Sequence, residues 1–138
     1  GRARFAGRVR TLRVFEDNAL VRKVLEEEGA GQVLFVDGGG SLRTALLGGN
    51  LARLAWERGW AGVVVHGAVR DTEELRGVPI GLLALAATPK KSAKEGKGEV
   101  DVPLKVLGVE VLPGSFLLAD EDGLLLLPEP PSGVRSGG

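Results

Sequence analysis

Residues 32–71, QVLFVDGGGSLRTALLGGNLARLAWERGWAGVVVHGAVRD, restrict the fold more than any other stretch of the chain. A β-branched run at residues 32–36 empties into Asp37-Gly38-Gly39-Gly40, a turn that a backbone without Cβ atoms makes freely. After Gly48-Gly49-Asn50, the apolar Leu51, Leu54 and Ala55 alternate with Arg53, Glu57 and Arg58 at the i, i+3, i+4 spacing of a helix with one buried face. Asn50 is its expected cap. A second apolar run, residues 62–65, ends in His66-Gly67-Ala68-Val69-Arg70-Asp71. Strand, glycine turn, helix and strand make a βαβ unit, so the two strands are expected to lie parallel. Beyond their carboxyl ends a helix amino terminus and two loops converge, where bare N–H groups and the helix dipole favour an anion. Arg70 and Asp71 belong to that rim, a guanidinium for a carboxylate and a carboxylate for a metal. The set suits a small oxo-acid.

The chain of 138 residues is expected to form one domain over residues 1–128, followed by a Pro/Gly-rich tail, 129–138, expected to be disordered. Its 18 basic and 18 acidic residues cancel, so the overall balance points to neither nucleic acid nor a membrane surface. The absence of cysteine excludes disulfides, thiolate nucleophiles and Cys-based zinc sites, and a single histidine excludes a His-rich metal site. Apolar runs are broken within about ten residues and no charged-then-apolar leader precedes them, which makes the cytoplasm the expected location. The first residue is Gly1 and not Met, leaving room for an upstream segment. Few Asn or Gln, no Cys or Met, and plentiful Arg, Glu and Leu resemble a thermophile's composition.

Around the central unit the pattern is simpler. Residues 3–15 alternate charged and apolar character, with one slip near Thr11, as a strand does when one face is wet; Arg8, Arg10 and Arg13 are expected on that solvated face. Asp17 or Asn18 can cap a helix striped by Leu20, Val21, Val24 and Leu25, with Gly29 as its left-handed stop. A short helical turn is expected at residues 72–75 and a continuous apolar strand at 79–86. Residues 88–99, TPKKSAKEGKGE, read as a mobile loop; its lysines 90, 91, 94 and 97 have no interleaved aromatic and make a poor nucleic-acid signature. From 100 to 127, four short β runs (100–106, 109–112, 116–118 and 123–127) are punctuated by Gly108, Pro113-Gly114 and Asp120-Glu121-Asp122-Gly123, and strands so closely joined pair antiparallel. The expected fold class is α/β, a layered β/β/α domain with a central mixed sheet.

Several chemistries drop out. Gly38-Gly39-Gly40 completes neither the dinucleotide pattern G-x-G-x-x-G nor the P-loop G-x-x-x-x-G-K-[ST]. His66 has no serine or cysteine partner in a nucleophile elbow, which favours a structural role. Asp37 and Asp71 both follow buried strands and could share a hard cation or cap turns.

Five segments taken together resemble a known family: Phe15-Glu16-Asp17-Asn18, Val36-Asp37-Gly38-Gly39-Gly40-Ser41, Leu51-Ala52-Arg53-Leu54-Ala55, Gly67-Ala68-Val69-Arg70 and Ala119-Asp120-Glu121-Asp122-Gly123. They look like the family of the regulator of ribonuclease activity A and the class II 4-hydroxy-4-methyl-2-oxoglutarate aldolases, once named demethylmenaquinone methyltransferases. No glycine loop with an acidic partner for S-adenosylmethionine supports that older name. The resemblance runs from Gly1 to about Pro128, without the helical amino-terminal segment usual in the family. It implies a β/β/α swivelling-type fold, a ring-shaped homotrimer and a site near subunit contacts. In the aldolases a G-x-x-L segment at a helix start offers N–H groups to pyruvate, and an Arg-Asp pair follows; Gly48-Gly49-Asn50-Leu51 and Arg70-Asp71, 22 residues on from Gly48, match. The resemblance makes Arg70 and Asp71 the catalytic pair, residues 48–51 with Arg70 the substrate contacts, and Asp71 the anchor of Mg²⁺ or Mn²⁺ in a largely water-filled shell. Implied substrates are pyruvate-yielding 2-oxo acids, including oxaloacetate. The alternative is a non-catalytic inhibitor of an endoribonuclease, without direct contact to nucleic acid or membrane. Two departures stand out: acidic residues of a carboxyl-terminal extension in the aldolases have only Glu129 as a counterpart, while the Asp that the ribonuclease regulator usually lacks is kept as Asp71.

Overall fold

The structure, a computed structural model, describes residues 4–131. The expectation of disorder over residues 132–138 lies outside the described residues. Thirteen elements follow one another: β1 (Phe5–Arg13), α1 (Ala19–Leu25), β2 (Val33–Asp37), β3 (Ala45–Leu47), α2 (Gly49–Glu57), β4 (Gly62–Val69), α3 (Glu73–Gly77), β5 (Gly81–Ala87), β6 (Glu99–Val100), β7 (Leu104–Val106), β8 (Val109–Val111), β9 (Phe116–Asp120) and β10 (Gly123–Leu127).

The apolar run in β2 is continuous because both faces of that strand are covered. Successive side chains of a strand point to opposite faces. Leu34 and Val36 therefore pack with Val21, Val24 and Leu25 of α1 and Ala52 and Ala55 of α2, while Val33 and Phe35 pack with Leu104, Val106 and Val111 of the β7–β8 pair. In β4, Val63 and Val65 join the first cluster and Val64 the second. Each large aliphatic side chain so buried contributes about 1.5–3 kcal/mol. Helices on one face and a small β layer on the other give the β/β/α arrangement.

The sheet runs β10-β9-β1-β2-β4-β3, with β5 also on β4 and β6 on β1. β1 pairs parallel with β2 from Val9 to Arg13 and antiparallel with β9 from Phe5 to Arg8. β2, β4 and β5 are mutually parallel, as the βαβ unit requires, and β9 and β10 form an antiparallel hairpin. The sheet is mixed, parallel at its centre and antiparallel toward the carboxyl-terminal hairpin.

Five local expectations change. A three-residue strand, β3, intervenes between glycine turn and helix and lies parallel to the end of β4, beyond the reach of β2. Gly29 does not stop α1, which ends with Glu26 as its C-cap; the left-handed residues are Ala30 and Gly31 at φ 49° and 75°. What demands glycine at 29 is the close approach of Trp60, whose backbone nitrogen would lie 2.5 Å from an added Cβ. The arginines of β1 are tied down: Arg10 makes two bonds to Asp101, at 2.8 and 3.1 Å, Arg13 reaches Glu99 at 3.0 Å, and Arg8 reaches Glu129 at 2.9 Å. The run at 100–106 splits into β6 and β7 at Asp101, a left-handed residue at φ 57° whose N–H donates to Thr11 O. Finally β5 begins at Gly81, after the expected start, and leaves Leu85 half exposed.

Candidate anion site

β3 passes directly into α2, and Gly48 is the hinge. It adopts extended backbone (φ −130°, ψ −172°) and caps α2 without any side-chain hydrogen bond; Asn50, the expected cap, sits inside the first turn. The first intrahelical bond runs from Ala52 N–H to Gly48 O at 3.0 Å. The N–H groups of Gly49, Asn50 and Leu51 are thus the orphan donors of the helix start. Their partial positive charge faces outward.

Arg70 reaches the same place by strand pairing. Its N–H donates to Leu47 O at 2.8 Å, extending the β3–β4 register one residue past β4. Its side chain runs past Gly48, with Cβ and Cδ 3.8 and 3.9 Å from where a Gly48 Cβ would stand. Arg70 Nε is buried and has no hydrogen-bond partner among the described residues. A buried, unpaired guanidinium N–H is costly until something accepts from it.

Residues 48–51 and Arg70 line one cavity of about 460 Å³. Its other walls were not assigned to a site from sequence: Asn18 and Arg22 beside α1, Thr72 and Glu74 at α3, and Lys91 and Lys94 from the loop after β5. Four cations face the space. Glu74 is the one carboxylate among the described lining residues, and it already contacts Arg53 at 3.3 Å. Arg22, Lys91 and Lys94 make no ion pair with a described residue.

The loop expected to be mobile is held at both sides. Ala45 N–H donates to Lys90 O at 2.8 Å, and Ser92, buried, bonds Thr44 Oγ1 at 2.9 Å and Ala45 O at 2.7 Å. On the other side Asn18 N–H donates to Ala93 O and Ala93 N–H to Glu16 O. Asp17, 2% exposed, accepts from Ala19 N–H at 3.0 Å, Glu95 N–H at 2.9 Å, Gly96 N–H at 3.3 Å and Lys97 N–H at 3.4 Å. Burial pushes its carboxyl up, and those four N–H groups more than offset it, holding Asp17 below the usual carboxylate range. A sequence signal existed, since Asp17 was a capping candidate; its second task, gripping a loop some eighty residues away, had none.

Asp71 lies at the neighbouring rim. It does not line the cavity of residues 48–51 and Arg70; it borders a shallower depression with Leu75 and Arg76, whose Nε stands 3.4 Å from Asp71 Oδ1. With 54% of its side chain exposed, it is a hard oxygen donor open to water. No group of three or more His, Asp or Glu capable of holding a metal occurs among the described residues. Asp71, alone and beside Arg76, could hold a cation only where water filled the rest of its shell, as Mg²⁺ allows, and not as a cage of carboxylates. Asp37 does not share such an ion: it contacts His66 Nδ1 at 3.3 Å and accepts from Gly39 N–H at 2.9 Å, giving His66 a structural place at the glycine turn. Glu129 is engaged by Arg8.

Layering, a mixed sheet and a cationic helix-start cavity at the parallel strand ends define an α/β domain with one candidate anion site. Comparison makes this specific: the chain belongs to the RraA-like family, described as Aldolase/RraA, which matches residues 1–126. A 4-hydroxy-4-methyl-2-oxoglutarate aldolase of Thermus thermophilus is 99% identical over 138 residues, all of this chain and 84% of that protein. A putative 4-hydroxy-4-methyl-2-oxoglutarate aldolase of Burkholderia multivorans is 60% identical over 126 residues, 91% of this chain and 77% of that protein. Among solved structures, the RNA-processing inhibitor RraA from a Thermus species superposes with a TM-score of 0.94 at 98% identity, covering 100% of this chain and 84% of that one. A protein solved as an S-adenosylmethionine: 2-dimethylmenaquinone methyltransferase from Geobacillus kaustophilus follows at TM-score 0.93 and 47% identity, over 98% of this chain and 84% of that one. The family resemblance and the mixed-sheet α/β fold expected from sequence agree with these matches. No helix among the described residues is long and apolar enough to cross a membrane.

Proposed function

We propose that this chain is a cytoplasmic lyase that breaks a C–C bond of a 2-oxo acid and releases pyruvate, in the manner of a class II 4-hydroxy-4-methyl-2-oxoglutarate aldolase and oxaloacetate decarboxylase. The observation that carries the reading is the buried, unpartnered Nε of Arg70 beside the uncapped start of α2. The name of the Thermus thermophilus relative supports it.

In this reading Arg70 and the N–H groups at residues 48–51 bind the substrate's 1-carboxylate and 2-oxo oxygen. Cleavage breaks the C3–C4 bond, its electron pair moves toward the 2-oxo oxygen, and the 4-hydroxyl proton leaves. Carbon dioxide takes the place of the carbonyl fragment when oxaloacetate reacts. Both routes pass through the enolate of pyruvate, which takes a proton at C3. Donors already fixed where that negative charge grows need no reorganisation, the largest single source of rate in many enzymes. Asp71 would hold the divalent cation, Mg²⁺ or Mn²⁺, among waters; when bound, that ion supplies a Lewis acid for the 2-oxo group.

Assembly as a homotrimer belongs to the same proposal. Leu85, Leu107, Val109, Leu124 and Leu125 are exposed together around a groove of about 480 Å³, an apolar surface of the kind that self-association covers. Light scattering on the eluted protein is expected to give three times the chain mass, and Leu85→Glu with Leu125→Glu to lower it.

The activity is tested by pyruvate release from oxaloacetate and from 4-hydroxy-4-methyl-2-oxoglutarate, with Mg²⁺ or Mn²⁺, for the wild type, Arg70→Ala and Asp71→Ala. Metal-dependent turnover lost in both variants is expected. A rate no higher than the uncatalysed background would sink the proposal. A second reading, a non-catalytic inhibitor that docks on an RNA-degrading endonuclease, is favoured by the solved RNA-processing inhibitor at 98% identity. A pull-down with that nuclease and a cleavage assay on a model RNA decide it; no complex and undiminished cleavage rule it out.

A further inference from the structure

The loop after β5 brings to the cavity more positive charge than a 2-oxo acid's reacting end can use. Arg70 and the α2 start account for one carboxylate and one carbonyl oxygen. Arg22, Lys91 and Lys94 remain on the same walls without an ion-pair partner among the described residues, a local excess of positive charge in a chain whose 18 basic and 18 acidic residues cancel overall. Like charges crowded around one cavity repel unless an anion joins them.

These lysines are also positioned. Lys91 lies in a bridge with Ala45, which enters the cavity wall from β3, and Ala93 lies in a bridge with Asp17 on the other side. Ser92 between them is buried, and three N–H groups of residues 95–97 close on the Asp17 carboxylate. The backbone on either side of Lys94 is therefore fixed, and both side chains border the space that Arg70 borders. A loop fastened at two buried points and presenting unpaired cations between them has the construction of a ligand wall.

We infer that residues 90–97 form a distal carboxylate subsite, in which Lys91 and Lys94, assisted by Arg22, read a second carboxylate of the substrate and make the chain selective for dicarboxylates over monocarboxylates. The inference rests on the lyase reading for its substrate, but the binding it describes does not require turnover. Lys91 and Lys94 are specificity residues here, and Asp17 is a positioning residue acting through them.

Two measurements test it, both on the full chain with Mg²⁺ present. The first is calorimetric binding of 2-oxoglutarate and of 2-oxobutanoate, which lacks only the second carboxylate, to the wild type and to Lys91→Ala/Lys94→Ala. The wild type is expected to prefer 2-oxoglutarate, and the double variant to lose that preference by about tenfold or more, since each charge-assisted bond is worth about that factor. The second is the ratio of kcat/KM for 4-hydroxy-4-methyl-2-oxoglutarate over the monocarboxylate 4-hydroxy-2-oxopentanoate, expected to fall about tenfold to a hundredfold in the same variant. An unchanged ratio and an unchanged binding preference overturn the subsite. Inorganic phosphate binding the wild type more tightly than 2-oxoglutarate, and losing that affinity in the double variant, overturns the carboxylate assignment. If no turnover is seen but the 2-oxoglutarate preference is present and lost in the variant, the subsite stands and the lyase reading falls. Turnover with an unaltered preference gives the reverse.

Discussion

Helices α1 and α2 both begin at the rim of one cavity and treat their free N–H groups in opposite ways. At α1 the Asp17 carboxylate, drawn down from the preceding residues, accepts from Ala19 N–H and is buried in doing so. At α2 two glycines precede the first buried leucine, no side chain reaches back, and an arginine with an unsatisfied nitrogen stands alongside. The first start has its leading N–H group taken by the protein itself, so that part of its electrostatic potential is spent on folding. The second is left without a side-chain cap, so the same potential stays available at the cavity wall. A helix terminus becomes informative about function when its neighbours decline to cap it.

The sharpest way to break this contrast is to close the open start. Gly48→Asp places a carboxylate at the N-cap, in backbone that any residue adopts and with only ordinary contact to Arg70. It should raise the melting temperature by a few degrees, from a cap and reduced unfolded-chain freedom worth about 0.5–1 kcal/mol together. Pyruvate-releasing activity should fall by about a hundredfold or more, since the introduced anion competes for the donors that serve the enolate. A stabilised protein with undiminished activity would show that α2 does not bind the reacting end. Arg70→Ala should cause a loss of similar size without the stabilisation.

Opening the closed start is the converse. Asp17→Ala leaves four N–H groups facing a void and should cost about 3 kcal/mol in denaturant unfolding, as breaking a buried charge-assisted network does. Acid titration refines this. Because the folded carboxyl is held below its ordinary value, it contributes stability that is complete above the unfolded value, about 3.9, and is lost as pH falls through the lower folded value. The stability gap between wild type and Asp17→Asn should therefore narrow below about pH 4. A gap independent of pH would remove the carboxylate's charge from the account. The smallest effect is expected at the other fastening point: Ser92→Ala, which gives up the bonds to Thr44 and Ala45, should cost about 1 kcal/mol, with selectivity between di- and monocarboxylates loosened before stability is much affected.

The position of the open start is legible in the sequence, but its openness is not, since Asn50 is the expected cap and sits inside the first turn. Gly48 to Leu51 and Arg70 sit at strand and helix ends, where a period of two or of 3.6 carries the geometry with it. The same periodicity showed β2 and β4 and the layer on each side of them. It could not show β3, because three residues are too few to display a period. It could not show that residues 88–99 are pinned, because a stretch rich in Lys, Gly and Ser is held here by side chains from positions 17 and 44. For the same reason Lys91 and Lys94, read as part of a mobile loop, stand on the cavity wall. The intrachain partners of the β1 arginines were hidden alike: Asp101, Glu99 and Glu129 lie about a hundred residues downstream, where alternation says nothing.

The double pairing of β1 has a consequence for how the chain is made. Phe5 to Arg8 pair with residues 116–119, so part of the hydrogen-bonding edge of β1 is reserved for a strand translated about a hundred residues later. At about 5–20 residues per second, that segment waits several seconds for its partner to be translated. Pairings so far apart in sequence also carry a high loop-closure cost and slow folding. Cotranslational folding can accordingly assemble the helical face around β2 and β4, anion cavity included, before the β1–β9 seam closes. Until that seam closes, the edge of β1 at Phe5 to Arg8 is open to pairing with a neighbouring chain.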